Sequence, residues 1–152
     1  MPRLSVKKTY KLFINGEFPR TESGRFYPVR GKGGDLLANA CRGSRKDLRN
    51  AVQAARKAVP AWSGKTAYNR GQVLYRIAEV CESRSAELAE ELRRQGSSAA
   101  AARKEVERVI DRWVYYAGWS DKYSQVAGSV NPVAGPYYNF TVPEPTGVVG
   151  VV

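Results

Sequence analysis

The spacing of apolar and polar positions changes character along the chain, and each change marks a kind of element. Lys11-Leu12-Phe13-Ile14-Asn15-Gly16-Glu17-Phe18 is an aromatic and β-branched run interrupted by Asn-Gly. That dipeptide adopts the positive φ angles of a type I′ turn most readily, so the run predicts a hairpin. Arg25 to Val29 and Leu36 to Cys41 flank Gly31-Lys32-Gly33-Gly34-Asp35, which predicts a second hairpin around a glycine-rich turn. Pro28 cannot donate to a ladder and therefore assigns its strand to a sheet edge.

From Ser44 the period becomes helical. Leu48, Val52, Ala55 and Val59 share one face, Ser44 stands at the cap, and Asp47 stands where a capping box needs an acceptor. Pro60 is expected to end this helix. Thr66 caps the next, whose Val73, Leu74, Ile77, Val80 and Cys81 form an apolar stripe and make Cys81 a core thiol. Ser83 or Ser85 restarts the helix at an angle with Leu88 and Leu92 inward, and Gly96 closes it. Ala99 to Ala102 begin a long helix in which Val106, Val109, Ile110, Trp113, Val114 and Ala117 hold the strongest helical period of the chain. Its aromatic end, Trp113 to Tyr123, reads as core rather than as a platform for stacking bases.

Beyond Gly128 the chain is punctuated by Pro132, Gly135 and Pro136. Tyr137 to Val142 then alternate with period two, which predicts an extended segment with one wetter face. Val148 to Val152 follow the Glu144-Pro145-Thr146-Gly147 turn as a short uncharged run, the pattern of a strand buried on both faces of a parallel sheet. Such a strand needs a crossover and a neighbour, and nothing after Val152 supplies them. The expectation is the leading segment of a longer protein.

Composition narrows the function more than it names it. Among 152 residues the 25 Lys and Arg exceed the 14 Asp and Glu, for a net charge of +11. Basic residues cluster at Arg3 to Lys11, Arg30 to Lys32, Arg42 to Arg49 and Arg93 to Lys104, but glycine and alanine interrupt them and no nucleic-acid-binding motif accompanies them. A solvated surface is the better reading, with a polyanion-binding module as the rival. No apolar run is long enough for a membrane span and the basic start lacks the apolar stretch of a signal peptide, so the expected compartment is the cytoplasm. With no His and only Cys41 and Cys81, neither a zinc site nor a nucleophilic triad is expected. Gly64-Lys65-Thr66 imitates the end of a phosphate loop, yet position 59 is Val where the motif needs Gly. Glu79, Glu82, Glu87, Glu90 and Glu91 sit at pairing distance along a helix from Arg76, Arg84, Arg93 and Arg94 and read as a solvated face.

Five stretches in this order resemble the N-terminal part of an aldehyde dehydrogenase. Leu12 to Phe18 looks like that family's opening strand, Val52 to Ala58 with Trp62 its first helix, and Arg70 to Ala78 its Arg and Leu-x-x-Ile-Ala segment. Tyr115-Tyr116-Ala117-Gly118-Trp119-Ser120-Asp121-Lys122 is the most specific match, with Glu144 to Gly150 close behind. The resemblance implies an α/β fold: two β-hairpins, about four helices, an extended oligomerisation arm and the first strand of a Rossmann-like sheet. It divides the chain into hairpins and helices of an NAD(P)-binding domain over 1–136, the arm over 137–146, and the truncated strand over 147–152.

The activity implied is oxidation of an aldehyde to a carboxylic acid, with NAD or NADP taking the hydride from an adduct on a cysteine thiolate. The family's catalytic Cys, Glu and Asn have no counterparts here, and neither Cys41 nor Cys81 matches the nucleophile. Catalytic residues and metal ligands are therefore none. Only Val152 falls where the family begins to touch the dinucleotide, through backbone and packing, so the chain alone is expected to be inactive and to hold no cofactor tightly. The implied partners are a second copy or a full-length aldehyde dehydrogenase subunit, met through Tyr137 to Val142, and an aldehyde substrate if the protein is complete. Gly96-Ser97-Ser98-Ala99 replaces the family's Thr-Gly-Lys-Pro, which keeps a non-catalytic structural or regulatory subunit as the alternative.

Overall fold

The computed structural model describes residues 6–151. It contains a three-stranded sheet, β1 (Thr9–Tyr10), β2 (Phe26–Arg30) and β3 (Leu36–Cys41), followed by α1 (Arg45–Ser63), α2 (Ala67–Ser83), α3 (Ser85–Arg94), α4 (Ala99–Trp119) and the short α5 (Tyr123–Ala127). The sheet order is β1-β3-β2.

Both expected hairpins form. Asn15 at φ 56° and Gly16 at φ 79° carry the first turn, closed by reciprocal backbone bonds of 3.1 Å between Ile14 and Glu17. β2 and β3 form the second, antiparallel with Phe26 opposite Cys41 and a register irregularity between Val29 and Arg30. Pro28 lies on the edge strand, as a residue without an N–H must. Thr9 and Tyr10, which show no strand pattern of their own, pair parallel to Asn39 and Ala40 on the other side of β3.

Helix α1 begins with a complete capping box. The Ser44 hydroxyl accepts from the Asp47 N–H at 3.2 Å, and the Asp47 carboxylate accepts from the Ser44 N–H at 2.8 Å. The same carboxylate accepts from the Thr21 hydroxyl at 2.6 Å and from the Glu22 N–H at 3.2 Å. Thr21 and Asp47 are the two buried polar side chains among the described residues, and this latch ties the segment between the hairpins to the helix start. The Thr21 hydroxyl, then the Ser44 N–H, hold the Asp47 carboxyl down at about 2, below its ordinary 3.8, against the opposing effect of burial.

Pro60 does not end α1. The helix runs one further turn to Ser63, because proline's φ is already helical and it removes only one ladder bond; Gly64 N–H then closes the end on the Pro60 carbonyl at 3.0 Å. The helix restarts at Ser85, as expected, but without a side-chain cap. Arg84 serves as the joint between α2 and α3, and the Ser83 hydroxyl donates backward to the Val80 carbonyl at 2.9 Å. Gly96 behaves as expected: its φ of 106° lets Ser97 N–H reach the Leu92 carbonyl and Gly96 N–H the Arg93 carbonyl, a Schellman closure.

The core is made of small residues. α4 packs against α2 and α3, and Ala38, Ala78, Ala89, Ala102 and Val106 are the buried apolar residues among those described. At the crossing of α2 and α4, a Cβ on Gly71 would stand 3.0 Å from the Ala117 carbonyl and 3.3 Å from Ser120 Cβ, so any side chain there would force its neighbours to give by a few tenths of an ångström. The expected stripes are consequently displaced. Val73, Val80, Leu88, Val109 and Val114 remain 40–43% exposed, and Leu48 on α1 is 66% exposed, because no other layer lies over those faces. The accessible surface, 12751 Å², exceeds the about 7,700 Å² that a compact chain of 16.8 kDa would show.

Two outcomes test these contacts. The depressed carboxyl of Asp47 stabilises the fold when ionised, so that contribution is complete above the ordinary value of 3.8 and is lost as pH falls towards 2. Circular dichroism through an acid titration should show an Asp47→Asn variant with a shallower loss over that interval than the parent; equal slopes would deny the latch its role. Replacing Gly71 by Val should cost about 1–3 kcal/mol through overpacking at the crossing, read by thermal unfolding.

Candidate functional site

Nothing in the first three-quarters of the chain assembles a reaction centre among the described residues. Among the described residues no group of three His, Cys, Asp or Glu side chains is placed to hold a metal. Cys41 closes β3 and Cys81 lies near the end of α2; both are free and half-buried, with no partner for a nucleophile's activation shown beside either. Cys81 is thus less enclosed than its place in the stripe suggested: it lines an open apolar groove with Leu88, Leu92, Val106, Val109 and Ile110. The helical acids are used on the surface, as their spacing predicts. Arg76 meets Glu79 at 2.8 Å, Arg84 meets Glu87 at 2.6 Å, and Arg93 meets Glu90 at 2.6 Å. Pairs this exposed add little stability.

The glycine motifs are turns. Gly31 N–H donates to the Asp35 carbonyl and Gly34 N–H to the Gly31 carbonyl, both at 2.9 Å, which consumes the amides a phosphate would need. Gly64 to Thr66 join two helices: Gly64 bonds back to α1, and the Thr66 hydroxyl caps α2 by accepting from the Asn69 N–H at 3.2 Å. Trp113 to Tyr123 are only partly core. Tyr115 and Tyr116 lie on the outer side of α4 at 58% and 60% exposure, their rings meeting edge-on at 5.3 Å.

The candidate site is at the other end, where the chain leaves α5. Asn131 N–H donates to the Asn139 carbonyl and Thr141 N–H to the Ser129 carbonyl, both at 2.8 Å, around an antiparallel bridge of Val130 with Phe140. Asn131 fixes this arm from the side as well: its amide NH2 donates to Asn139 Oδ1 and Thr141 Oγ1, each at 3.0 Å. The arm is held by a few bonds at its base and by no ladder beyond it. Tyr137 and Tyr138 are at least three-quarters exposed, and Phe140, whose ring lies 5.4 Å from that of Tyr138, is also out in solvent. The expected single wet face is not found, because both faces of Tyr137 to Val142 lack a neighbouring layer.

Glycine at 147, with φ 116°, turns the chain into Val148 to Val151, which form no ladder with any described residue. Val151 is 93% exposed. The stretch from Val142 to Val151 takes part in none of the hydrogen bonds among the described residues, and its side chains are apolar apart from Glu144 and Thr146. Val152, the residue expected to touch a dinucleotide, lies outside the described residues.

Comparison with known proteins gives this arrangement its context. The model of the aldehyde dehydrogenase family matches residues 20–152. Retinal dehydrogenase 2 of Homo sapiens is 37% identical over 155 residues, covering 98% of this chain and 29% of that protein. The mitochondrial benzaldehyde dehydrogenase of Antirrhinum majus is 34% identical, covering 98% of this chain and 28% of its own length. Among solved structures, PnpE in complex with nicotinamide adenine dinucleotide superposes with a TM-score of 0.81 at 31% identity, over 86% of this chain and 27% of that one. The chain spans less than a third of the relatives it matches.

Asn131 tests the order of the arm. Its replacement by Ala should speed hydrogen exchange at the Thr141 amide about tenfold, the worth of roughly one net hydrogen bond, and leave the α4 amides unchanged.

Proposed function

The chain belongs to the aldehyde dehydrogenase family, and from that membership we propose that it serves as the leading section of an NAD(P)-dependent enzyme that oxidises an aldehyde to a carboxylic acid. The observation that carries this reading is the match over residues 20–152 combined with an exposed apolar tail at Val148 to Val151. A short apolar segment with unpaired backbone on both sides has the character of a sheet strand awaiting its neighbours.

In this reading the chain contributes scaffold rather than chemistry. The latch at Asp47 and the α2 and α4 crossing hold the helices; the arm offers Tyr138 and Phe140 to another subunit; the tail supplies the first strand of the dinucleotide-binding sheet. NAD or NADP would meet only the apolar end of this chain, near Val152. The proposed setting is the cytoplasm; among the described residues no helix is long and apolar enough to cross a membrane.

A second reading takes the arm as the whole function. Two exposed, adjacent aromatic rings on a short pre-bonded hairpin suit docking onto a larger dehydrogenase, which would make the chain a non-catalytic subunit. The readings part on two measurements. Purified alone, the chain should reduce neither NAD nor NADP when an aldehyde is added; turnover would refute the assignment of catalysis to residues it does not contain. Covalently joined to the remaining section of a family member, it should restore aldehyde oxidation, whereas a docking subunit would co-purify with an intact dehydrogenase and add no turnover when joined.

A further inference from the structure

We infer that the polar side of α1 is a docking surface for nucleic acid, on which Arg45, Arg49 and Arg56 hold the phosphate backbone of a duplex without reading its sequence. This surface is separate from the proposed part in aldehyde oxidation and stands whether or not that part holds. The net charge of +11 is unevenly shared. Helices α2, α3 and α4 together carry eight Lys and Arg against eight Asp and Glu, whereas α1 carries Arg45, Lys46, Arg49, Arg56 and Lys57 against Asp47 alone. That one acid is buried and spent in the latch, where it accepts from Thr21, Ser44 and Glu22. On α2 and α3, Arg76, Arg93 and Arg94 each meet a glutamate of their own helix. Arg45, Arg49, Arg56 and Lys57 are exposed and join no ion pair among the described residues, while Lys46 meets Glu22 at 3.5 Å.

Arrangement and chemistry select the occupant. At 3.6 residues per turn, Arg45, Arg49 and Arg56 fall within about 40° of the helix circumference and span about 16 Å along it. Glu17 and Glu22 share a cleft with Lys46 and Lys57 that none of the three arginines lines, so the row itself meets no acid there. A duplex carries one negative charge about every 1.7 Å of its axis, dense enough to engage every arginine of such a row, and the guanidinium fork takes phosphate oxygens two at a time. The same side of α1 adds Asn50, Gln53 and Pro60 but no aromatic ring on which the bases of a single strand would stack. A bilayer would draw on the apolar side of the helix. Asp47 lies on that side, tied to Thr21, and Ala51, Val52, Ala54 and Val59 there are half-buried, which leaves only Leu48 and Trp62 as its exposed large residues.

The test titrates a short fluorescent DNA duplex of arbitrary sequence with the 152-residue chain and follows its anisotropy. Binding should persist at physiological salt, and log affinity should fall against log salt over about 50–200 mM with a slope of about −3 or steeper. Arg49→Gln with Arg56→Gln should lower affinity about tenfold or more and make the slope shallower by about two. Arg76→Gln with Arg93→Gln removes the same charge from ion-paired sites and should move both far less. All four substitutions are at exposed positions, and unchanged helical circular dichroism confirms that the variants remain folded. Equal losses in the two double variants would assign the binding to net charge and overturn the inference. A duplex left free at physiological salt would overturn it too. So would co-sedimentation with vesicles of phosphatidylserine and phosphatidylcholine that the α1 variant abolishes while duplex binding survives, which would give the row to a membrane surface.

Discussion

The close approach of α2 and α4 is the constraint from which most of this structure follows. A backbone carbonyl 3.0 Å from a would-be Cβ is tighter than nearly all real Cβ contacts, and at Gly71 the missing side chain removes that crowding. Small residues continue the theme at Ala78, Ala89 and Ala102. Burying small side chains releases little apolar area, so the seam gains from close packing what it forgoes in bulk. Larger residues on the faces that no other layer covers stay half-exposed. Leucines and valines that read as core are thereby left for something else to cover.

This explains which parts of the fold were legible in the sequence. Local chemistry was: the Asn15-Gly16 turn, the Ser44 and Asp47 box, the Thr66 cap and the Gly96 closure are each set by residues within a few positions of one another. The long-range features were not. Thr9 and Tyr10 have no alternation to mark them, and they become a strand only because β3 offers a free edge. Asp47 was readable as a cap but not as the acceptor for Thr21, since 26 residues separate the two and no periodicity links them. Pro60 was read by its usual effect on a helix, whereas one missing donor near a helix end is tolerated.

The candidate site shows the same division. Its membership in a family was legible because short ordered motifs survive in a single sequence, above all Tyr115 to Lys122 and Glu144 to Gly150. The state of the arm was not, because period-two alternation reports a strand's preference for two environments and cannot say whether either is present. Tyr137 to Val142 alternate faithfully and yet both faces are wet. A pattern written for neighbours is still a pattern when the neighbours are missing.

The Thr21 and Asp47 latch has a consequence for the order of events during synthesis. It closes over 26 residues and needs nothing beyond the first turn of α1. A nascent chain can therefore complete it before α2 and α4 have emerged, at a modest cost in loop entropy. The Gly71 seam must wait for Ser120 to emerge. The leading section thus sets its own beginning early, and the ribosome presents the helices to an end that is already fixed.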